Sequence, residues 1–187
     1  MERLRQLESA ALAIPRANVD TDQIVPARFL KRPRSENFGE VLFHDQRQLL
    51  GALPRGEARI VVAGRNFACG SSREHAVWAL YDYGFRAAIA PSFGDIFRSN
   101  ALKNGFLPVV LPEDAVAGML EALAREPRAR IALDLERQTV TAPGGAVHGF
   151  DIEPFARQCL LEGLDELDYT LTQAERIAAF ERDYEAP

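Results

Sequence analysis

Metal-binding side chains are scarce in this chain of 187 residues, which has two cysteines and three histidines. An iron–sulfur cubane needs three or four thiolates, so Cys69 and Cys159 could not hold one by themselves. His44, His75 and His148 are scattered without the paired spacing of a zinc site or a facial-triad iron site. We therefore expect this chain to bind no metal and no cofactor alone.

Long apolar runs and basic clusters are missing as well. No stretch approaches the roughly 18 apolar residues of a membrane span, and no signal peptide precedes the first predicted strand. The formal net charge is −5, and the short basic spot at residues 32–34 is too small for a nucleic-acid surface. We expect neither a membrane nor a nucleic acid as partner. With few cysteines and no export signal, we expect a cytoplasmic protein.

Strands and helices alternate along most of the chain, and 47% of the residues are hydrophobic, enough to bury a core. Strands are predicted at residues 10–14, 59–63, 87–90, 107–111, 130–135, 139–141 and 146–150. Helices are predicted at residues 71–83, from a cap at Ser92 through Lys103, at 113–125 and 154–163, and from Thr172 onward. The pattern indicates one mixed α/β domain over residues 1–187, with a core at about 8–165 and a helical tail at 166–187.

Three details of this prediction are specific. The mixed composition of residues 29–50 suggests an exposed loop that contributes little to the core. Ser92 and Asp95 offer a capping box for the helix that ends before Asn104. The last helix is predicted to bury a set of apolar side chains, namely Ala174, Ile177, Ala178 and Phe180.

Residues 66–75, NFACGSSREH, are the most informative segment. They place Ser71, Ser72 and Arg73 in the predicted first turn of a helix, beside free backbone N–H groups and the positive end of the helix dipole. Two hydroxyls and a guanidinium at such a turn suit a carboxylate ligand. The segment also fits a capping box, in which Ser71 accepts from the backbone and Glu74 reaches back to the cap. The residues alone leave both interpretations open.

Several long motifs, in this order, resemble the small subunits of 3-isopropylmalate dehydratase, in the aconitase superfamily. They are NVDTDQIVP at 18–26, the segment at 66–75, GFRAAIAPSFGDIF at 84–97, NGFLP at 104–108, and the tail between 150 and 165. The resemblance covers almost the whole chain. It implies the swivelling β/β/α fold that forms the mobile domain of aconitase-like enzymes. It also implies a large partner subunit that carries a 4Fe-4S cluster.

The same resemblance implies a reaction and site residues. The family interconverts 2-isopropylmalate and 3-isopropylmalate through 2-isopropylmaleate, in leucine biosynthesis. Ser71 would be the base, acting as an alkoxide, and Asp22 would orient a catalytic group of the large subunit. Arg73, Ser72 and Thr21 would bind the dicarboxylate substrate. The residues themselves also allow Arg73 to pair with an acidic neighbour, Ser72 to be a helix-start residue, and Asp22 to form an Asx turn beside Thr21.

Substrate choice in this family involves the loop that follows the Asp22 motif, roughly residues 29–38. Phe29 and Leu30 could line an apolar wall for an isopropyl group, whereas Lys31 or Arg28 could meet a side chain that bears a carboxylate. Both types of side chain are present, so the sequence leaves the choice open.

Two positions depart from the family pattern. Ala68 stands where glycine is more typical, and Val77 where proline is frequent. These departures leave room for a related hydro-lyase that acts on another acid. Examples are citraconate (methylmalate) hydratase, dimethylmaleate hydratase and homoaconitate hydratase. An alternative from another class is a stand-alone carboxylate-binding module. A neighbouring gene for a large, cysteine-bearing partner would favour the enzyme interpretations over the binding module.

Overall fold

Seven strands form a single mixed sheet in the computed structural model, which describes residues 1–51, 54–71 and 73–184. In chain order they are β1 Gln6–Ile14, β2 Ala58–Ala63, β3 Ala87–Ala90, β4 Leu107–Val110, β5 Arg130–Asp134, β6 Thr139–Thr141 and β7 Val147–Gly149. Their order across the sheet is β4-β3-β2-β1-β5-β6-β7. The strands β4, β3, β2 and β1 run parallel. The neighbouring pairs β1–β5, β5–β6 and β6–β7 are antiparallel.

The described residues also form seven helices. They are α1 Thr21–Ile24, α2 Glu74–Tyr83, α3 Asp95–Lys103, α4 Glu113–Arg125, α5 Pro154–Glu162, α6 Glu166–Thr172 and α7 Ala174–Asp183. Three 3-10 segments, Ala27–Phe29, Phe38–Val41 and His44–Leu50, lie between α1 and β2. None of the helices in the described part of the chain has both the length and the apolarity needed to span a lipid bilayer.

The core has two layers because successive side chains of a strand point to opposite faces of the sheet. In β2, Val61 and Ala63 pack in the layer that contains α2 and part of α3, whereas Ile60 and Val62 pack in the layer that contains α4. Both faces of β2 are therefore buried, which explains why this strand is a continuous apolar run.

Most of the predicted elements are confirmed. The sheet contains all seven predicted strands, although β1 begins at Gln6 rather than at residue 10. Pro108 lies in β4, at the edge of the sheet, where a residue without an N–H is tolerated. The helix α5 has Pro154 in its first turn and ends at Gly163, whose φ of 74° is in the left-handed region.

The prediction that residues 29–50 contribute little to the core is wrong. Phe38, Leu42 and Phe43 in this segment are fully buried. They pack in the same layer as α2. Short 3-10 turns, rather than a long helix or strand, bring these side chains inward, so no regular periodicity marked them in the sequence.

The burial predicted for the last helix is also wrong. The helix expected from Thr172 is present as α7, which begins at Ala174, and it is preceded by α6 within the predicted helical tail. The side chains expected to be buried are largely on the surface: Ile177 is 42% and Phe180 65% exposed, Ala174 is exposed, and Ala178 is half-buried. Amphipathic spacing correctly predicted helical structure, but it carries no information about what covers the apolar face.

Candidate active site

The candidate site lies where the loops after β1 and β2 meet. Parallel neighbouring strands end at the same edge of a sheet, and ligands of open α/β sheets bind outside this carboxyl end. The backbone N–H of Asn18 donates to the carbonyl of Arg65 at 2.9 Å, and that of Thr21 donates to Cys69 at 2.9 Å. These bonds place the start of α1 directly beside residues 66–71.

The loop after β3 supports this arrangement from the other side. The backbone N–H of Phe67 donates to the carbonyl of Ser92 at 3.0 Å, and that of Gly94 donates back to Phe67 at 3.0 Å. A Cβ atom at Gly94 would lie 2.5 Å from the carbonyl oxygen of Ala68, so only glycine fits there. Three loops are therefore locked together around residues 66–70.

Ala68 has a φ of 56°, in the left-handed region where residues other than glycine are strained. This explains why glycine is more typical at this position. The loop after β3 packs against Ala68 at Gly94 and holds the strained backbone in place.

Ser71 is exposed and lies before the helix, not in its first turn. The helix α2 begins at Glu74, so the predicted start at Ser71 is wrong, as is the capping box. Gly70 has a φ of 91°, and Arg73, the N-cap residue, is extended without a side-chain cap. Glu74 instead accepts a hydrogen bond from the side-chain amide of Asn104 at 2.6 Å, so its carboxylate is directed toward the end of α3.

The second predicted capping box is also wrong. The N-cap of α3 is Gly94, without a side-chain hydrogen bond, and the hydroxyl of Ser92 accepts from the backbone N–H of Asn66 at 2.9 Å. Ser92 thus ties the β3 loop to the candidate site instead of capping α3. The predicted stop at Asn104 is confirmed.

Thr21 links α1 to Ser71. Its side chain is 1% exposed, and its hydroxyl donates to the backbone carbonyl of Ser71 at 3.2 Å. The side chain of Asp20, not that of Asp22, caps α1 by accepting from the backbone N–H of Gln23 at 2.8 Å. The carboxylate of Asp22 is therefore available for a more distant partner.

That partner is Arg73, whose guanidinium donates a hydrogen bond to the carboxylate of Asp22. The Arg73 side chain is 17% exposed and the Asp22 side chain 53% exposed. The acidic neighbour that the sequence allowed for Arg73 is thus another of the predicted site residues. The structure brings Asp22, Thr21, Ser71 and Arg73 together, whereas Ser72 lies outside the described residues.

The predicted specificity loop adjoins this group. His75, two positions after Arg73, lies near the backbone of Leu30 in this loop. Burial lowers the pKa of His75 below its ordinary value, and the backbone of Leu30 partly opposes that shift. Phe29 and Leu30 are half-buried against the core layer of α2, while Lys31 is exposed.

Arg28, the second predicted cation of this loop, has a carboxylate partner. Its Nη1 donates to Oδ2 of Asp45 at 2.7 Å, and its Nη2 donates to Oδ1. These hydrogen bonds hold the pKa of Asp45 well below its usual range. Asp45 was not predicted from the sequence, because a carboxylate 17 positions from Arg28 in an irregular segment has no periodic relation to it.

Metal ligands are not assembled in the described residues, among which no three histidine, cysteine or acidic side chains are grouped to hold an ion. Cys69 lies in the candidate site, and Cys159 is buried in α5, where desolvation raises the pKa of its thiol. The donor set of this chain therefore does not fit an iron–sulfur cluster.

Comparisons with known proteins agree with the fold and the motifs. The family model of the aconitase C-terminal domain matches residues 53–114, and the model described as LeuD_N matches residues 119–154. A crystal structure of 3-isopropylmalate dehydratase from Methanocaldococcus jannaschii superposes with a TM-score of 0.70 at 23% identity, covering 94% of this chain and 99% of that one. The fold is thus the swivelling domain of aconitase-like proteins.

Several relatives are much more similar to this chain in sequence than the protein of that crystal structure. The 3-isopropylmalate dehydratase small subunit of Anaeromyxobacter sp. (strain K) is 49% identical over 191 residues, which cover 97% of this chain and 98% of the relative. That of Rubrobacter xylanophilus is 48% identical over 186 residues, covering 97% and 95%. The small subunit of Paramagnetospirillum magneticum is 44% identical, again over 97% and 95%. The chain belongs to the family of 3-isopropylmalate dehydratase small subunits, which confirms the resemblance seen in its motifs.

Proposed function

We propose that this chain supplies the proton-transfer and carboxylate-binding half of a hydro-lyase active site, and that a large subunit supplies the other half. The reaction is the interconversion of 2-isopropylmalate and 3-isopropylmalate through 2-isopropylmaleate, a step of leucine biosynthesis in the cytoplasm. The observation that carries the proposal is the contact of Arg73 with Asp22, which joins two family motifs at the carboxyl end of the parallel strands.

The chemistry requires three functions. A base must remove a weakly acidic C–H proton, a Lewis acid must assist departure of the hydroxyl, and cations must hold the carboxylates so that the geometry is retained. This chain offers a hydroxyl and a guanidinium, but its two thiols do not suffice for a cluster. The Lewis acid is therefore expected to be a 4Fe-4S cluster on the large subunit.

Ser71 is the proposed base. A serine hydroxyl is far too weakly acidic to ionise near neutral pH in water, so the site must stabilise the alkoxide. The Thr21 hydroxyl fixes the backbone of Ser71, and the positive charge of Arg73 lies two residues away in the chain. Ser71 is exposed in this chain alone, so the partner must exclude water for these charges to act strongly.

Arg73 is the proposed carboxylate ligand. Its guanidinium has five N–H donors, of which the structure uses Nη1 for Asp22. The remaining donors can form the planar, two-point contact with a carboxylate that lysine cannot reproduce. Asp22 keeps the guanidinium oriented toward α1, and it is also proposed to orient a catalytic group of the large subunit. Ser72 is proposed to add a hydrogen bond to the same substrate carboxylate. Thr21 acts through its bond to Ser71 rather than by facing the substrate.

The direct test is to purify this chain with its large subunit under anaerobic conditions and to assay a panel of branched and unbranched malates. We expect conversion of 3-isopropylmalate with the highest kcat/KM. Preference for a different acid would indicate a related hydro-lyase. Binding of the acids by an intact complex without turnover would support the carboxylate-binding module instead.

A further inference from the structure

Both arginines that flank Phe29 already have carboxylate partners within this chain. Arg28 makes two hydrogen bonds to Asp45, one of them at 2.7 Å, and Arg32 lies 3.6 Å from Glu36 through its Nε atom. The Arg28 pair is bidentate, the geometry that best matches a guanidinium to a carboxylate. A substrate carboxylate would have to compete with Asp45 for Arg28.

The side chains around this pair hold it against an aromatic ring. The guanidinium carbon of Arg28 lies 4.7 Å from the centroid of the Phe29 ring, and the ring of His44 lies 4.8 Å from the same centroid. The Nη2 atom of Arg28 is also 3.0 Å from Nδ1 of His44. The cation is thus fixed by Asp45, by His44 and by stacking on Phe29.

This cluster borders the candidate site through the next residue of the loop. The backbone of Leu30 lies near His75, in the first turn of α2, and Arg73 is the N-cap of that helix. The apolar part of the loop, Phe29 and Leu30, packs on the same core layer as α2. Where the loop faces a substrate held by Arg73, the position of Arg28 decides whether the loop presents a charged or an apolar surface to that substrate.

We propose that Asp45 is a positioning residue for substrate selection, which holds Arg28 away from the substrate so that Phe29 and Leu30 meet the substrate's side chain. This inference rests on the proposed function and deepens it. It predicts that the enzyme prefers malates with an apolar branch over malates whose branch carries a third carboxylate. Without Asp45, Arg28 has no carboxylate to hold it and becomes the ligand for such a group.

The test uses the anaerobic complex with its large subunit and two substrates of similar size, 3-isopropylmalate and 3-carboxymethylmalate. In Asp45→Asn we expect the ratio of the two kcat/KM values to shift toward the tricarboxylate by about tenfold or more, mainly through its KM. Asp45→Ala, which cannot hydrogen-bond Arg28, should shift at least as far. The double variant Arg28→Gln/Asp45→Asn should return to the wild-type preference.

Glu36→Gln is the matched control, because it removes the same charge from the same loop but from the partner of Arg32. Its preference should equal that of the wild type. A purely structural role of Asp45 would lower turnover of both acids together and leave the ratio unchanged, which would overturn the inference. A shift that survives in the double variant would also overturn it. A wild-type complex that converts neither acid would instead refute the proposed function, and the inference with it.

Discussion

Arg73 donates a hydrogen bond to Asp22, a residue 51 positions earlier in the chain. The two side chains belong to different motifs, and each motif follows a different parallel strand. Their contact is a consequence of the sheet order, in which β1 and β2 are neighbours and end at the same edge. The proposed roles of both residues depend on their meeting at that edge.

Replacing Arg73 with lysine should impair substrate capture. Lysine keeps the positive charge but loses the planar fork, so KM should rise by about tenfold or more while the complex still assembles. Steady-state kinetics on 3-isopropylmalate measures the effect. Arg65→Lys, an exposed arginine in the same loop, is the matched control. A wild-type KM in Arg73→Lys would mean that Arg73 has only a structural role.

Replacing Asp22 with asparagine should separate activity from stability. The Asp22 side chain is 53% exposed, and ion pairs this accessible contribute about 1 kcal/mol or less to the free energy of unfolding. Chemical denaturation should therefore detect little change, whereas turnover should fall clearly because Arg73 is no longer oriented. A large loss of stability with normal turnover would contradict the proposed role of Asp22.

Replacing Ala68 with glycine should stabilise the chain. The φ of 56° at Ala68 lies in a region where an L-residue is strained, and glycine removes strain of about 1 kcal/mol. Ala63→Gly, in the buried strand β2, makes the same chemical change without relieving strain and should destabilise. Urea titrations of both variants measure the difference. Equal losses of stability would show that the backbone at Ala68 is not strained.

Replacing Phe38 with alanine should cost about 3 to 5 kcal/mol of the free energy of unfolding, because it leaves a cavity beside α2. This side chain is fully buried, within the segment that the sequence led us to expect on the surface. Phe180→Ala removes the same atoms from a site that is 65% exposed, and it should cost much less. Comparable values for the two variants would place Phe38 outside the core.

Stability should fall as the pH drops below about 6.5, the ordinary pKa of histidine in an unfolded chain. Burial lowers the pKa of His75 in the folded state, so between the two pKa values the unfolded state binds more protons. The free energy of unfolding therefore rises with pH across this window. His75→Gln keeps a polar side chain but cannot titrate in this range, so its free energy of unfolding should change less between pH 7.5 and pH 5.5. Identical pH dependences would remove His75 as the cause.

The sequence predicted the regular parts of the fold because their local signals agree with the tertiary structure. Apolar runs with β-branched residues marked strands such as β2, and Pro154 and Gly163 marked the ends of α5. The residues 29–50 were misjudged because 3-10 turns bury side chains at irregular spacing. The apolar face of α7 was misjudged because helical spacing does not say what covers a face.

The candidate site was predictable as a set of residues but not as a geometry. The motifs identified Ser71, Arg73, Thr21 and Asp22, yet the helix was expected to begin at Ser71. Its start shifts to Glu74 because Gly70 adopts a left-handed backbone and the Glu74 side chain binds Asn104 instead of closing a cap. Such competition between local capping and a tertiary contact leaves no trace in the sequence.

The hydroxyl of Ser71 is the proposed base, so the most direct test is to remove it and measure kcat. In the anaerobic complex, Ser71→Ala should leave assembly and substrate binding intact while kcat falls by about 10² to 10⁴, the range that a general base contributes. Ser99→Ala, an exposed serine of α3, should keep the wild-type kcat. A Ser71→Ala complex that turns over 3-isopropylmalate at the wild-type rate would contradict the account.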